Sequence, residues 1–176
     1  MARFFCSRIN VVITTLILYI IDGEFMKEDI LRQIGTIARA LDSIANSEFK
    51  DMQLNRGQYL YLTRIKEKPG IISDHLANLL NVDRTTTARG IKRLVKAGLV
   101  EKKADRANKK IKHLFVTPQG QELAQQIEKE NRYSSQLVLK GLSAEQTKQL
   151  AILLKTVEEN ASANWRFVKN GGRREY

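Results

Sequence analysis

The chain has 176 residues, 43% of them hydrophobic, with 30 Lys or Arg against 19 Asp or Glu and a net charge of +11. That length suits one domain by the ~100–200 residue norm, and the apolar content exceeds what a disordered chain carries. One Cys and two His exclude a disulfide framework, leave almost no soft-metal chemistry and suit a reducing cytosol. The positive balance points to a polyanionic partner, nucleic acid before an anionic membrane surface.

Residues 1–25 differ from the rest. Residues 11–21 (VVITTLILYII) form an almost unbroken apolar run, preceded by Arg3 and Arg8 and followed by Asp22-Gly23-Glu24. The run is about half the ~20 residues a membrane-spanning helix needs, and no small-x-small cleavage site follows it. Three readings stay open for it: an extension upstream of a working start at Met26, a dimer-packing arm, or an export or membrane-anchoring segment.

From Met26 the pattern turns helical. Ile30, Ile34, Ile37, Leu41 and Ile44 recur at alternating spacings that put them on one stripe of a helix about five turns long. A second helix is expected over 56–68, stopped by Pro69-Gly70. Ser73 is the expected N-cap of a short helix ending near Asn81, and Asp83 that of the next, which Gly98 stops. Residues 99–103 and 112–116 then read as strands of a hairpin whose long polar loop is ADRANKK. Thr117-Pro118 opens a long helix through about Lys140. Ser143 and Gln146 form a capping box for the last one, with Leu150, Leu154, Val157, Ala161, Trp165 and Val168 as its stripe.

The charge is concentrated. Between Arg84 and His113 lie eleven Lys or Arg residues against Glu101 and Asp105, nine of the chain's eleven net positive charges. A short helix, a turn at Val82-Asp83, a basic helix and a hairpin follow one another there, the order of a winged helix-turn-helix. In such a unit the second helix enters the major groove of DNA. The spacing of Thr87, Ile91 and Leu94 sends them to the core, leaving Arg84, Thr85, Thr86, Ala88, Arg89, Lys92 and Arg93 outside. Arg can bond guanine bidentately and Thr can bond base edges or pack on thymine. Ser73, at a helix start, suits a phosphate contact.

The segment SDHLANLLNVDRTTTARGIKRLVKAGLVEKKADRANKKIKHLFVTPQG, within residues 26–168, resembles the MarR family of bacterial winged-helix transcriptional regulators. The resemblance lies in the helix-turn-helix, the Gly-Leu-Val that follows, a wing opening with Asp, and a closing Thr-x-x-Gly at Thr117 and Gly120. It implies a homodimer joined through N- and C-terminal helices, binding double-stranded DNA at a pseudo-palindromic operator. It also implies repression that an unidentified small-molecule effector or oxidant relieves. The family's wing usually ends in Asp-Arg-Arg; here those positions are Asn108, Lys109 and Lys110. The resemblance makes Lys109 the minor-groove residue, with Arg106 close enough to substitute for it. Gly90 stands where the family usually has a larger apolar residue, weakening the helix by ~1 kcal/mol relative to Ala; the sequence assigns it no role.

Tyr59 and Tyr61 resemble tyrosines of peroxide-sensing relatives, but the one Cys is Cys6, outside any matching motif, so packing is the reading adopted. His75 and His113 lack partners at metal-ligand spacing and are taken as surface or packing residues, and Trp165 as interface packing. Phosphate-binding Gly loop, serine nucleophile elbow and H-E-x-x-H are all missing from the sequence, so no enzyme, cofactor or metal is expected. The fold expected is mainly α with a small β-hairpin wing. Residues 26–176 form one domain, with 54–117 as the DNA-binding lobe, 26–53 and 118–168 as dimerisation helices and 169–176 as a basic tail. The cytoplasm is the expected location. The competing classes are a winged-helix module for protein contacts and a regulator tethered to a membrane by residues 11–21.

Overall fold

The computed structural model describes residues 29–52, 54 and 57–176; Cys6 and the apolar run at 11–21 lie outside them. The chain divides into two compact units, 1–50 and 51–176. In the first, helix α1 covers residues 29–48. Four members of its predicted stripe, Ile30, Ile37, Leu41 and Ile44, are 36% to 49% exposed.

After a 3-10 turn at Lys50–Met52 come α2 (Gln58–Glu67), α3 (Ser73–Leu79), α4 (Arg84–Lys96), β1 (Val100–Ala104), β2 (Lys112–Val116), α5 (Pro118–Val138) and α6 (Ala144–Lys169). Local bonds set most of these boundaries. The Asp83 carboxylate accepts from the Thr86 N–H at 2.8 Å and so opens α4. Gly98, at φ 72° just past that helix, supplies the left-handed turn that ends it. Thr117 caps α5 through the Gly120 N–H at 3.1 Å, ahead of Pro118. Ser143 and Gln146 form the reciprocal capping box of α6.

Two expectations need adjustment. Ser73 is not the N-cap of α3 but its first helical residue; Ile72 is the cap and offers no side-chain bond. The reason is the bridge between Ile72 and His113, which keeps Ile72 extended up to the helix start. Strand β1 begins one residue later than the sequence pattern suggested. Its pairing with β2 is antiparallel, from Val100 opposite Val116 to Ala104 opposite Lys112.

The core of the second unit gathers under α4. Leu62 and Ile65 of α2, Leu76 of α3, Thr87, Ile91 and Leu94 of α4, Leu114 of β2 and Ile127 of α5 are at most 1% exposed. Burying each aliphatic side chain of this size contributes ~1.5–3 kcal/mol. Two glycines permit close approach. A Cβ on Gly90 would lie 2.9 Å from the Tyr61 ring, which explains the small residue the sequence left without a role. A Cβ on Gly120 would lie 2.0 Å from the Leu99 carbonyl oxygen. The Thr117 hydroxyl and N–H donate to the carbonyls of Gly98 and Leu99 at 2.6 and 3.1 Å. The Thr-x-x-Gly element therefore clamps the first turn of α5 against the entry to the hairpin.

Helix α6 buries no residue at all. Ile152, Leu153, Leu154, Phe167 and Val168 are 42% to 61% exposed. Its C-terminal end touches the turn between α3 and α4. Asn81 Nδ2 donates to the Ser162 hydroxyl at 2.7 Å, and Lys169 Nζ to the Val82 carbonyl at 3.4 Å. The same ammonium sits 4.2 Å from the centre of the Trp165 ring. No helix among the described residues is long and apolar enough to cross a membrane.

Candidate nucleic-acid interface

Helix α4 has two faces of opposite character. Thr87, Gly90, Ile91 and Leu94 are buried, while Arg84, Thr85, Thr86, Ala88, Arg89, Lys92 and Arg93 are all exposed. The division is the one the apolar spacing predicted. Tyr61, under the buried face, has its hydroxyl pushed up chiefly by burial. Ser73 is half-buried at the start of α3, and Arg106, Lys109 and Lys110 are exposed at the wing tip.

Few of these cations are neutralised. Arg84 pairs with Asp74 at 3.4 Å, and Lys103 pairs with Glu101 at 2.8 Å while lying over the Phe115 ring. Among the described residues no carboxylate is within ion-pair distance of Arg89, Lys92, Arg93, Arg106, Lys109 or Lys110. Asp83, at the start of α4, is committed to the backbone. Hydrogen bonds from Thr86 chiefly hold its carboxyl below the usual carboxylate range, with Lys169 adding to the effect.

The wing tip is a wired turn. Asp105 Oδ1 accepts from the N–H groups of Ala107 and Asn108, both at 2.8 Å, and Asn108 Oδ1 accepts from the Lys110 N–H at 3.1 Å. Asn108 thus shapes the turn that presents Lys109. His113, read from the spacing as a surface or packing residue, has two hydrogen-bonding partners. Its Nδ1 is 2.7 Å from the Gly70 carbonyl and its Nε2 is 3.0 Å from Asp105 Oδ2. The signal was accessible only through the register. With Lys103 opposite His113 and the Asp105 N–H bonded to Ile111, Asp105 and His113 become diagonal cross-strand neighbours. A separate open cleft of about 600 Å³ lies beside the α2–α3 turn, with Lys68, His75 and Arg166 on its walls.

This geometry, an apolar-backed basic helix beside a charged hairpin, agrees with three comparisons. The MarR family model matches residues 54–112. The uncharacterized HTH-type transcriptional regulator YybA of Bacillus subtilis (strain 168) is 49% identical over 148 residues, 84% of this chain and 99% of its own length. The chain belongs to the MarR family. Among solved structures, the transcriptional regulator SlyA is 51% identical at a TM-score of 0.77, over 80% of this chain and 99% of that one. A MarR family regulator from Listeria monocytogenes, crystallised with 26mer DNA, is 49% identical at a TM-score of 0.81, over 83% and 97% of the two chains. The protein is a MarR-family transcriptional regulator with the winged-helix fold the sequence implied. Neither the protein-contact module nor the membrane-tethered regulator gains support from these relatives.

Proposed function

We propose that the protein is a homodimeric, sequence-specific DNA-binding repressor of the cytoplasm, without enzymatic activity, released from its operator by a small-molecule effector. The observation that carries the reading is the unneutralised basic surface running from the outer face of α4 to the wing tip. In this reading Thr85, Thr86, Ala88, Arg89 and Lys92 reach base edges in the major groove. Ser73, Arg84, Arg93 and Lys110 hold phosphates, and Arg106 or Lys109 enters the minor groove. The exposed apolar faces of α1 and α6 supply the surface that a second copy covers. Two recognition helices related by a two-fold axis then call for half-sites about one turn, ~10 base pairs, apart.

The test measures Kd against salt for a cognate and a random duplex. Arg89→Ala should cost ~1–3 kcal/mol on the cognate duplex and relax discrimination at one base pair per half-site. Lys109→Ala and Arg106→Ala should weaken both duplexes alike and flatten the salt slope by ~1 per lost phosphate contact, doubled in a dimer. Equal losses on both duplexes for Arg89→Ala, with lost specificity in the wing variants, would reverse the assignment of reader and clamp.

A further inference from the structure

His113 stands between the base of the wing and its tip, and both of its ring nitrogens face acceptors. Nδ1 meets the Gly70 carbonyl at 2.7 Å and Nε2 the Asp105 carboxylate at 3.0 Å. A neutral imidazole has one N–H, so it satisfies one acceptor and turns a lone pair toward the other; the imidazolium donates to both. The other oxygen of Asp105 holds the N–H groups of Ala107 and Asn108. A continuous chain of bonds thus runs from the α2–α3 turn through the ring to the residues beside Lys109.

Backbone bonds also support both ends of that chain. At the base, the Gly70 N–H donates to Leu114 at 2.8 Å and the Leu114 N–H to Ile71 at 3.0 Å, bonds no side-chain proton affects. At the tip, the Asp105 N–H donates to Ile111 at 3.1 Å and the Ile111 N–H to Asn108 at 2.9 Å, and the bond from His113 adds a tie from the Asp105 side chain to β2. Loss of the ring proton therefore breaks the chain at one of its two ring bonds, and the tip is no longer held to the α2–α3 turn through His113.

We propose that the protonated His113 ring is a latch holding the wing in its DNA-clamping posture, so that the grip on DNA loosens when the ring gives up its proton. The proposal rests on the reading of the wing as a clamp and adds a regulation to it.

The surrounding charges leave Asp105 as the partner. Across the hairpin, Lys103 pairs with Glu101. Beyond the Ile72 bridge, Asp74 pairs with Arg84. Lys68 before the turn, His75 on α3 and the adjacent Lys112 are cationic or titratable, but among the described residues only Asp105 forms an ion pair with the ring. The Gly70 carbonyl first, and Asp105 second, raise His113 above the ordinary 6.5. Hydrogen bonding from His113 in turn holds Asp105 below the ordinary 3.8. The latch is complete below 6.5 and is lost as pH rises through the raised value; the Asp105 side fails only in acid, as pH falls through the lowered one.

The chain contains two histidines, so a near-neutral dependence can be apportioned. The experiment uses the full chain, NMR titration of both imidazoles, and fluorescence anisotropy with a duplex selected by the protein from a random pool. His113 should titrate above 6.5, and Asp105→Asn should lower it. Kd should rise roughly fivefold or more between about pH 6 and about pH 8.5. His113→Gln and Asp105→Asn should each bind weakly with a flat profile, while His75→Gln keeps the wild-type profile. Thermal melting verifies that each variant is folded, and either His113→Gln or Asp105→Asn suffices. A His113 titration at or below 6.5, a flat wild-type profile, or a profile that survives in His113→Gln overturns the latch. If no duplex binds at any pH, the proposed function falls, and with it the regulatory role; the NMR arm still decides the ring's bonding.

Discussion

Gly90 sits in the middle of α4, where intrinsic propensity alone says that Ala would be better by ~1 kcal/mol. The structure reverses that expectation. A Cβ at this position would stand 2.9 Å from one carbon of the Tyr61 ring and 3.2 Å from two others, against the ~3.5–4.0 Å at which carbons rest comfortably. The ring would have to retreat by about 0.6 Å to restore that spacing. Tyr61 is 7% exposed and has little room to do so. Overpacking of this kind costs ~1–3 kcal/mol, which exceeds the propensity gain. Gly90→Ala should therefore destabilise by ~1 kcal/mol net, lowering Tm by ~2–4 °C in a protein of this size. The decisive measurement is the same substitution on a Tyr61→Leu background, where the ring edge is gone. There the sign should flip, and Ala should stabilise by up to ~1 kcal/mol. Melting curves must be compared at one protein concentration, because an associating chain has a concentration-dependent Tm. Equal effects on the two backgrounds, or a Gly90→Ala protein more stable than wild type, would refute the packing argument.

Gly120→Ala should be far more severe, since its Cβ would lie 2.0 Å from the Leu99 carbonyl oxygen and neither backbone can yield without breaking the Thr117 bonds. Loss of ~3 kcal/mol or more, read from urea denaturation, is expected; a loss under ~1 kcal/mol contradicts the clamp between α5 and the hairpin. If α6 forms the proposed dimer contact, Leu154→Asp buries an unpaired charge there and should weaken self-association at least ~100-fold and DNA binding with it. A Leu154→Asp protein that sediments as a dimer and binds DNA normally removes α6 from the interface.

What was legible in the sequence was what lies within one or two turns of chain. The caps at Asp83, Thr117 and Ser143 connect residues three apart, and the inward set Thr87, Ile91 and Leu94 obeys helical spacing, so pattern alone found them. The contacts that shape the site are of another kind. Gly90 meets Tyr61 from a neighbouring helix, and His113 meets Gly70 forty-three residues away. Neither meeting has a local signature; each appears only after the elements are packed and the hairpin register is set. Ser73 shows the same limit from the other side. Its type suits an N-cap, but the bridge from Ile72 to His113, made by a strand not yet in view, fixed the helix start one residue earlier.

The distribution of carboxylates explains why so much positive charge stays free. Between Gly70 and Val116 the chain has four acidic residues, Asp74, Asp83, Glu101 and Asp105. Asp83 is consumed by the first turn of α4, and Asp105 by the wing tip and His113. Asp74 steadies Arg84 at the edge of the basic face, and Glu101 takes Lys103 on the hairpin. Each acid holds backbone in shape or neutralises a cation at the margin, and none faces Arg89, Lys92, Arg93, Arg106, Lys109 or Lys110. Concentrating like charge in this way works against the compact state through self-repulsion. Such a conflict between local stability and charge placement is the mark of a surface built for something else. A polyanion that lies along α4 and the wing removes the repulsion, and the counterions it releases from its own phosphates drive the association.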